Sequence, residues 1–344
     1  MSSALAEYAP LSVPSPPEDL LGEVRAVIAL IHAHQRCLIT SHQQPDGDAL
    51  GASLALFHLL RELGKEAVVF NVDPPPFNFC FLDGADAVRN VLEDDERFDI
   101  TFVLDCCVRE QLGSNFPERA WGSHVVAIDH HTTVLEGADV ALHDPDAAAV
   151  GELIYWLALE LGVEVRGALA ETIYCSLMAD TGGFRYASTT PIALAMAGQL
   201  VANGVDVWNI SRHIYEDNPV QRVEVLAKVL TTLVVSACGR IASVRISKKV
   251  MKTINGDPSM IDGFINYVRS IRGVEVAAQL IENSPKSYDV VFRSKGAVDV
   301  GAFARTFGGN GKKLAARCSM TGTYREVNAA LIDGLDAFLT VPTP

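Results

Sequence analysis

Apolar residues come in short, nearly uninterrupted runs, each closed by glycine, proline or acid. The runs around Cys37–Ser41, Ala67–Val72, Ile100–Asp105 and His124–Asp129 are too short for buried helices, and their β-branched and aromatic content predicts strands. A short edge strand is expected over 139–143. Helical spacing is read over 18–34, 49–63, a short piece near 83–92, then 147–161, 166–179, 189–203 and 206–215. Strands without polar alternation, interleaved with helices, predict an α/β fold whose mostly parallel sheet carries helices on both faces. Residues 1–20, with Pro10, Pro14, Pro16 and Pro17, read as a loose leader.

The pattern changes after about residue 220. Strands are expected at 231–237, 240–246, 274–282 and 288–294, with helices near 258–270, 298–306, 311–318 and 324–338. Ala237-Cys238-Gly239-Arg240 reads as a hairpin turn. The chain is long for a single core, so two domains are expected: 18–213, a connector at 214–225, and a smaller α/β domain at 226–341.

Charge sharpens this division. Residues 1–220 hold 11 Lys/Arg against 32 Asp/Glu, a balance of −21, and 221–344 hold 17 against 10, a balance of +7. An acidic half suits cation binding and a basic half suits contacts to a phosphorylated substrate, although solvated surface alone would also give both values. The seven cysteines show no C-x-x-C spacing, and Cys37, Cys175 and Cys238 fall in apolar surroundings. Reduced core thiols and a cytoplasmic setting are therefore expected. Cys106-Cys107 reads as packing next to the candidate site. No apolar run is long enough to predict a membrane span.

The candidate chemistry lies at the ends of the apolar runs. His42-Gln43-Gln44-Pro45-Asp46-Gly47-Asp48 follows the first strand, Asp105 closes the third, and Asp129-His130-His131 closes the fourth. In open α/β sheets ligands gather at the carboxyl ends of the strands. So many acids and imidazoles at the ends of core elements call for a divalent cation as partner. Asp180, at the exit of an apolar helix, stands against the helix dipole unless a cation offsets it. Singly, each has a plain reading: a helix cap with a surface histidine for His42–Asp48, and a turn acid for Asp180. His32, His34, His58, His124, His143 and His213 read as structural or surface groups, His143 the least clearly because Asp144 and Asp146 follow it.

Taken together these segments resemble the DHH family of phosphoesterases, in particular bacterial nano-RNases and 3′-phosphoadenosine 5′-phosphate phosphatases with a DHHA1-type second domain. The resemblance rests on Ser41-His42 through Pro45-Asp46-Gly47-Asp48-Ala49-Leu50-Gly51, on Asp105 with Arg109 and Gly113, on Ile128-Asp129-His130-His131, and on Asp180-Thr181-Gly182-Gly183-Phe184-Arg185-Tyr186. Phe292-Arg293-Ser294-Lys295 and Phe307-Gly308-Gly309-Asn310-Gly311 extend it downstream. It implies two Mn²⁺, with Mg²⁺ or Co²⁺ as alternatives. One ion would take His42, Asp46 and Asp105, and the other Asp48, Asp105, His130 and Asp180. Asp105 would bridge, Asp129 would orient an imidazole, and His131 would face the substrate phosphate. Arg109 and Arg185 are phosphate-contact candidates, and Arg293, Lys295, Gly308, Gly309, Gly311 and Lys312 are candidates for holding the rest of a nucleotide. Here the chain departs from the family, with Asn310 in place of a glycine, Lys312 in place of a histidine and Arg317 in place of the last glycine.

The implied activity is hydrolysis of very short single-stranded oligoribonucleotides to mononucleotides, with 3′-phosphoadenosine 5′-phosphate as a further substrate. The alternatives are a catalytically weak nucleotide sensor, a hydrolase of dinucleotide signals and, less well matched, a pyrophosphatase. The resemblance also allows a homodimer.

Overall fold

A computed structural model describes residues 15–340; the leader expected over 1–20 lies outside that range up to residue 14. Packing divides the chain between Asp217 and Asn218. In the first unit α1 (Leu21–Ala33), β1 (Arg36–Ser41), α2 (Gly47–Glu62), β2 (Glu66–Val69), β3 (Ile100–Leu104), β4 (His124–Asp129) and β5 (Val140–His143) precede four helices: α3 (Val150–Glu160), α4 (Gly167–Asp180), α5 (Pro191–Ala202) and α6 (Val207–Ser211). A π-helical turn, Arg212–Glu216, follows. All five strands are parallel in the order β2-β1-β3-β4-β5. β3 is buried at every position and β1 and β4 at all but the first, so alternation is absent.

One sheet face packs Ile39, Phe102, Leu104, Ile128 and Leu142 against the α-helices, in a core that includes Leu54, Leu153 and Trp156. The opposite face is covered differently. Leu38, Val103, Val125 and Ala127 pack there against Leu112, Phe116, Ala120 and Trp121, carried by loops and 3-10 turns. The helix expected near 83–92 is a single 3-10 turn, Ala85–Ala87. Beyond it Arg89 leaves the helical path and bridges to Phe70, past the end of β2.

The second unit contains α7 (Val220–Leu230), β6 (Val234–Val235), β7 (Ile241–Ile246), α8 (Lys248–Lys252), α9 (Phe264–Arg269), β8 (Val276–Ser284), β9 (Ser287–Ser294), α10 (Val300–Arg305), β10 (Asn310–Gly311), β11 (Ala315–Thr321) and α11 (Tyr324–Thr340). Its mixed sheet runs β10-β11-β9-β8-β7-β6, with only β7 and β8 parallel.

The helix expected over 311–318 is a strand. Ala316, Cys318 and Met320 are buried while Arg317, Ser319 and Thr321 are exposed, a two-residue alternation that outweighs the helix propensity of Lys312-Lys313-Leu314-Ala315. None of the seven cysteines forms a disulfide; Cys37, Cys106, Cys175 and Cys318 are buried, but Cys238 sits on the exposed hairpin turn, not in a core. Among the described residues no helix is long and apolar enough to cross a membrane.

Candidate metal centre

Three neighbouring strands bring the acids and imidazoles together. β1 ends at Ser41 and delivers His42, β3 ends at Leu104 and delivers Asp105, and β4 ends at Asp129 before His130 and His131. Asp46 caps α2, its Oδ1 accepting the N–H groups of Asp48 and Ala49 at 3.0 Å each. The helix-cap reading of this segment therefore holds, and the same side chain also stands in a group with His42 and Asp105 that could hold an ion. Asp180 ends α4, and the turn after it is tightly wound: Gly182, Gly183 and Phe184 all have left-handed φ values, of 60°, 71° and 60°. A Cβ on Gly182 would lie 2.4 Å from the Tyr186 ring, which accounts for glycine there.

Three groups of these side chains have donor atoms close enough to share an ion: His42, Asp46 and Asp105; Asp48, His130 and Asp180; and Asp105, His130 and His131. His42 Nε2 lies 3.5 Å from Asp105 Oδ2 and 4.0 Å from Asp46 Oδ1. His130 Nε2 faces Asp48 Oδ2 at 3.8 Å, Asp105 Oδ1 at 3.8 Å and Asp180 Oδ2 at 3.7 Å. Apart from the 3.5 Å contact of His42 with Asp105, these separations are too long for hydrogen bonds. They fit donors that each stand ~2.1 Å from one ion, which lie up to about 4 Å apart.

The imidazoles are set for this. His42 Nδ1 bonds the Gln43 carbonyl at 2.9 Å and His130 Nδ1 bonds the Ala147 carbonyl at 3.0 Å. A carbonyl only accepts, so Nδ1 carries a proton in both rings and Nε2 is the nitrogen turned to the carboxylates. His131 is anchored through the same ring nitrogen, but by a carboxylate. Its Nδ1 and its backbone N–H both reach Asp129 Oδ1, at 2.7 and 2.9 Å, so Nδ1 is committed and Nε2 is the end left for chemistry.

Asp105 lies between two of the groups. It is buried, its φ is 53°, and its Oδ1 has no hydrogen-bond partner. Left-handed backbone is uncommon outside glycine, with Asp and Asn the most tolerant. A buried carboxylate oxygen facing two imidazoles without a hydrogen bond is what a cation would complete.

Electrostatics make the same demand. Burial opposes a charged His42, yet Asp105 and Asp46 carry its pKa up to about 10. Burial likewise opposes a charged His130, which Asp48, Asp180 and Asp105 raise to about 9. Burial and the neighbouring Asp105 hold Asp48 well above the usual carboxylate range. Burial pushes Asp105 up, but His42 and the other imidazoles outweigh it and hold its carboxyl below its ordinary value. The cluster requires positive charge, and protons on imidazole meet that need where no ion does.

Other expected residues have local partners. The Arg109 guanidinium lies 4.4 Å over the Trp121 ring, and Arg185 Nε donates to the Gly182 carbonyl at 2.6 Å. In the second unit the glycine reading changes. Gly309 donates its N–H to Ala304 at 2.9 Å, and Gly311 lies in β10 paired with Ala316. A Cβ at Gly309 would meet the Arg317 carbonyl oxygen at 2.2 Å, and one at Gly311 the Ala316 Cα at 2.4 Å. These two glycines serve close backbone packing, and the Gly309 N–H is already used within the fold. Gly308, with φ 72° and open space around it, meets only the conformational demand. Lys312 sits in the turn between β10 and β11, and Lys295 Nζ donates to the Ile271 carbonyl at 3.1 Å. Arg293 lies on β9 opposite Ala277 and Ala315.

Sequence reading missed several supporting groups. Asn71 Oδ1 accepts the Ser41 N–H and its Nδ2 reaches the Ser41 hydroxyl and the His42 carbonyl, holding the end of β1. Ser176 bonds Asp48, and His143 bonds the His131 carbonyl. For His143 a signal was present: it ends the strand next to Asp129.

Residues 36–178 match the DHH family, N-terminal domain. The chain is 28% identical over 289 residues to the bifunctional oligoribonuclease and PAP phosphatase NrnA of Thermus thermophilus, covering 83% of this chain and 84% of that one. It is also 28% identical over 310 residues to the protein of the same name from Bacillus subtilis, with 89% and 96% covered. Among solved structures, an exopolyphosphatase-related protein from Bacteroides fragilis has the same fold, with a TM-score of 0.83 at 23% identity over 93% of this chain and 97% of that one.

Proposed function

We propose that this chain, whose residues 36–178 match the N-terminal domain of the DHH family, hydrolyses very short oligoribonucleotides to mononucleotides with two Mn²⁺ ions. We extend the proposal to removal of the 3′-phosphate of 3′-phosphoadenosine 5′-phosphate. The observation that carries the reading is Asp105, a buried carboxylate between two His/Asp groups, with an oxygen turned to each. The functions named for the NrnA relatives support the substrate class.

In this reading His42, Asp46 and Asp105 hold one ion, and Asp48, Asp105, His130 and Asp180 the other. Imidazole and carboxylate donors suit Mn²⁺ and also admit Mg²⁺ or Co²⁺. When bound, two divalent ions activate water and offset charge on a phosphoryl group. The chain's own residues do the rest. Asp129 keeps a proton on His131 Nδ1 and would stabilise the ring's imidazolium form, whose Nε2–H would then bond the phosphoryl group or pass its proton to the leaving oxygen, leaving neutral imidazole. Arg109, after β3, and Arg185, after α4, would add positive charge toward the phosphate, and Arg293, Lys295 and Lys312 would hold the remainder of the nucleotide by charge. A lysine holds phosphate without the directional ring donor of histidine, so Lys312 bears on substrate preference and not on the metal chemistry.

The test is an assay with Mn²⁺ on a 5′-labelled diribonucleotide, a longer oligomer, 3′-phosphoadenosine 5′-phosphate and pyrophosphate. Mononucleotides from the dimer, faster than from the longer oligomer, are expected. Turnover of pyrophosphate alone, or tight nucleotide binding without turnover, would overturn the proposal.

A further inference from the structure

Ser176 lies on α4 four residues before Asp180, fully buried. Its hydroxyl lies 2.5 Å from Asp48 Oδ1 and accepts the Gly151 N–H at 2.8 Å. The second bond fixes the direction of the first. An N–H can only donate, so the single hydroxyl proton is left for the carboxylate. Asp48 Oδ2 accepts the Val150 N–H at 3.0 Å and is the oxygen that faces His130 Nε2 at 3.8 Å. Three helices thus meet on one carboxylate, which begins α2.

Room has been cleared for this hydroxyl from two sides. A Cβ on Gly51 would stand 2.9 Å from the Ser176 backbone nitrogen and 3.1 Å from its Cβ, and one on Gly151 would come within 2.2 Å of the hydroxyl oxygen. A buried helical serine ordinarily returns its hydroxyl to the carbonyl one turn back. Here both of its hydrogen bonds cross to other helices.

We infer that Ser176 is a positioning residue: it ties down Asp48 Oδ1, so that Asp48 offers Oδ2 alone to the ion shared with His130 and Asp180. The inference rests on the two-ion reading above. It leaves the ion held by His42, Asp46 and Asp105 unaffected, because Ser176 bonds none of those side chains. Partners behind a ligand commonly change metal affinity by about 10–100-fold.

The test is calorimetric titration of Mn²⁺ into the metal-free protein, which reads binding without substrate. The wild type is expected to bind two equivalents. Ser176→Ala, smaller than the native side chain, should weaken one of them by at least ~10-fold and leave the other within about threefold. Asp48→Ala should abolish that same equivalent, and Ser176→Cys, a weaker donor, should fall between Ser176→Ala and wild type. Two unchanged equivalents in Ser176→Ala would overturn the inference while leaving the two-ion reading intact. So would equal weakening of both equivalents together with a lower urea midpoint of the metal-free protein, since that marks a packing role. A wild type that binds fewer than two ions would remove the two-ion reading and the inference with it.

Discussion

His143 Nε2 lies 2.5 Å from the carbonyl oxygen of His131. The two residues come from neighbouring strand ends, for His143 is paired in register with Asp129. His143 also donates its backbone N–H to Glu23 Oε2 on α1 at 2.8 Å, so the edge strand, the first helix and the Asp129-His130-His131 turn are tied in sequence. His143→Leu should cost on the order of 1 kcal/mol of stability for the lost bond. It should also lower kcat by about tenfold with little change in KM, because the bond orients His131 and does not bind substrate. His143→Gln, which keeps a donor, should recover much of the loss; steady-state kinetics of the three proteins decide the matter.

Asp105→Asn tests the bridging role with little disturbance to the backbone, since Asn tolerates left-handed φ as well as Asp does. The metal-free variant should be less stable than wild type at neutral pH, because His42 and the neighbouring imidazoles, which hold the Asp105 carboxyl below its ordinary value, lose their charged partner. Metal analysis should find both Mn²⁺ equivalents weakened, and kcat should fall by about 10³-fold, the equivalent of several kcal/mol of lost charge stabilisation.

Glu152, buried in the first turn of α3, supplies the pH dependence. Burial is the largest influence on its carboxyl and lifts its pKa from 4.5 to about 7, although it accepts the Ala148 N–H at 3.1 Å. The folded state therefore keeps a proton that the unfolded state releases. Its contribution to stability is fully present below pH 4.5 and is lost as pH rises through about 7. Urea unfolding of metal-free protein should show wild type losing up to about 3 kcal/mol relative to Glu152→Gln between pH 4.5 and 8. A constant difference across that range would refute the assignment.

Two adjacent glycines separate packing from conformation. Gly309→Ala drives a methyl group into the β11 backbone at Arg317 and should destabilise the second unit by about 2 kcal/mol or more. Gly308→Ala meets no atom and carries only the cost of a left-handed alanine, about 1–2 kcal/mol. Thermal unfolding should rank the two in that order.

Much of the candidate site was legible in the sequence because His42, Asp105, Asp129, His130 and His131 lie at or just past strand ends, and buried parallel strands announce themselves as solid apolar runs. Asp105 carried little signal of its own and took its weight from the motifs on either side. Ser176 carried none: a serine in an apolar helix looks the same whether it bonds its own backbone or a carboxylate 128 residues away in sequence. The region from Gly308 to Thr321 was misread because glycine followed by lysines and alanines resembles both an anion loop and a helix start. The alternation of Ala316, Cys318 and Met320 is decided by the sheet they join. Gly309 and Gly311 are required by strand contacts that no local spacing reveals.

β1, β3 and β4 lie side by side in the sheet although more than fifty residues of chain separate the start of β1 from that of β3. The growing or unfolded chain therefore offers only fragments of the donor set, His42 with two acids or one Asp-His-His turn, and neither fragment alone is a cage. On the two-ion reading, cation capture would therefore follow sheet assembly, because the full donor set does not exist until its geometry does.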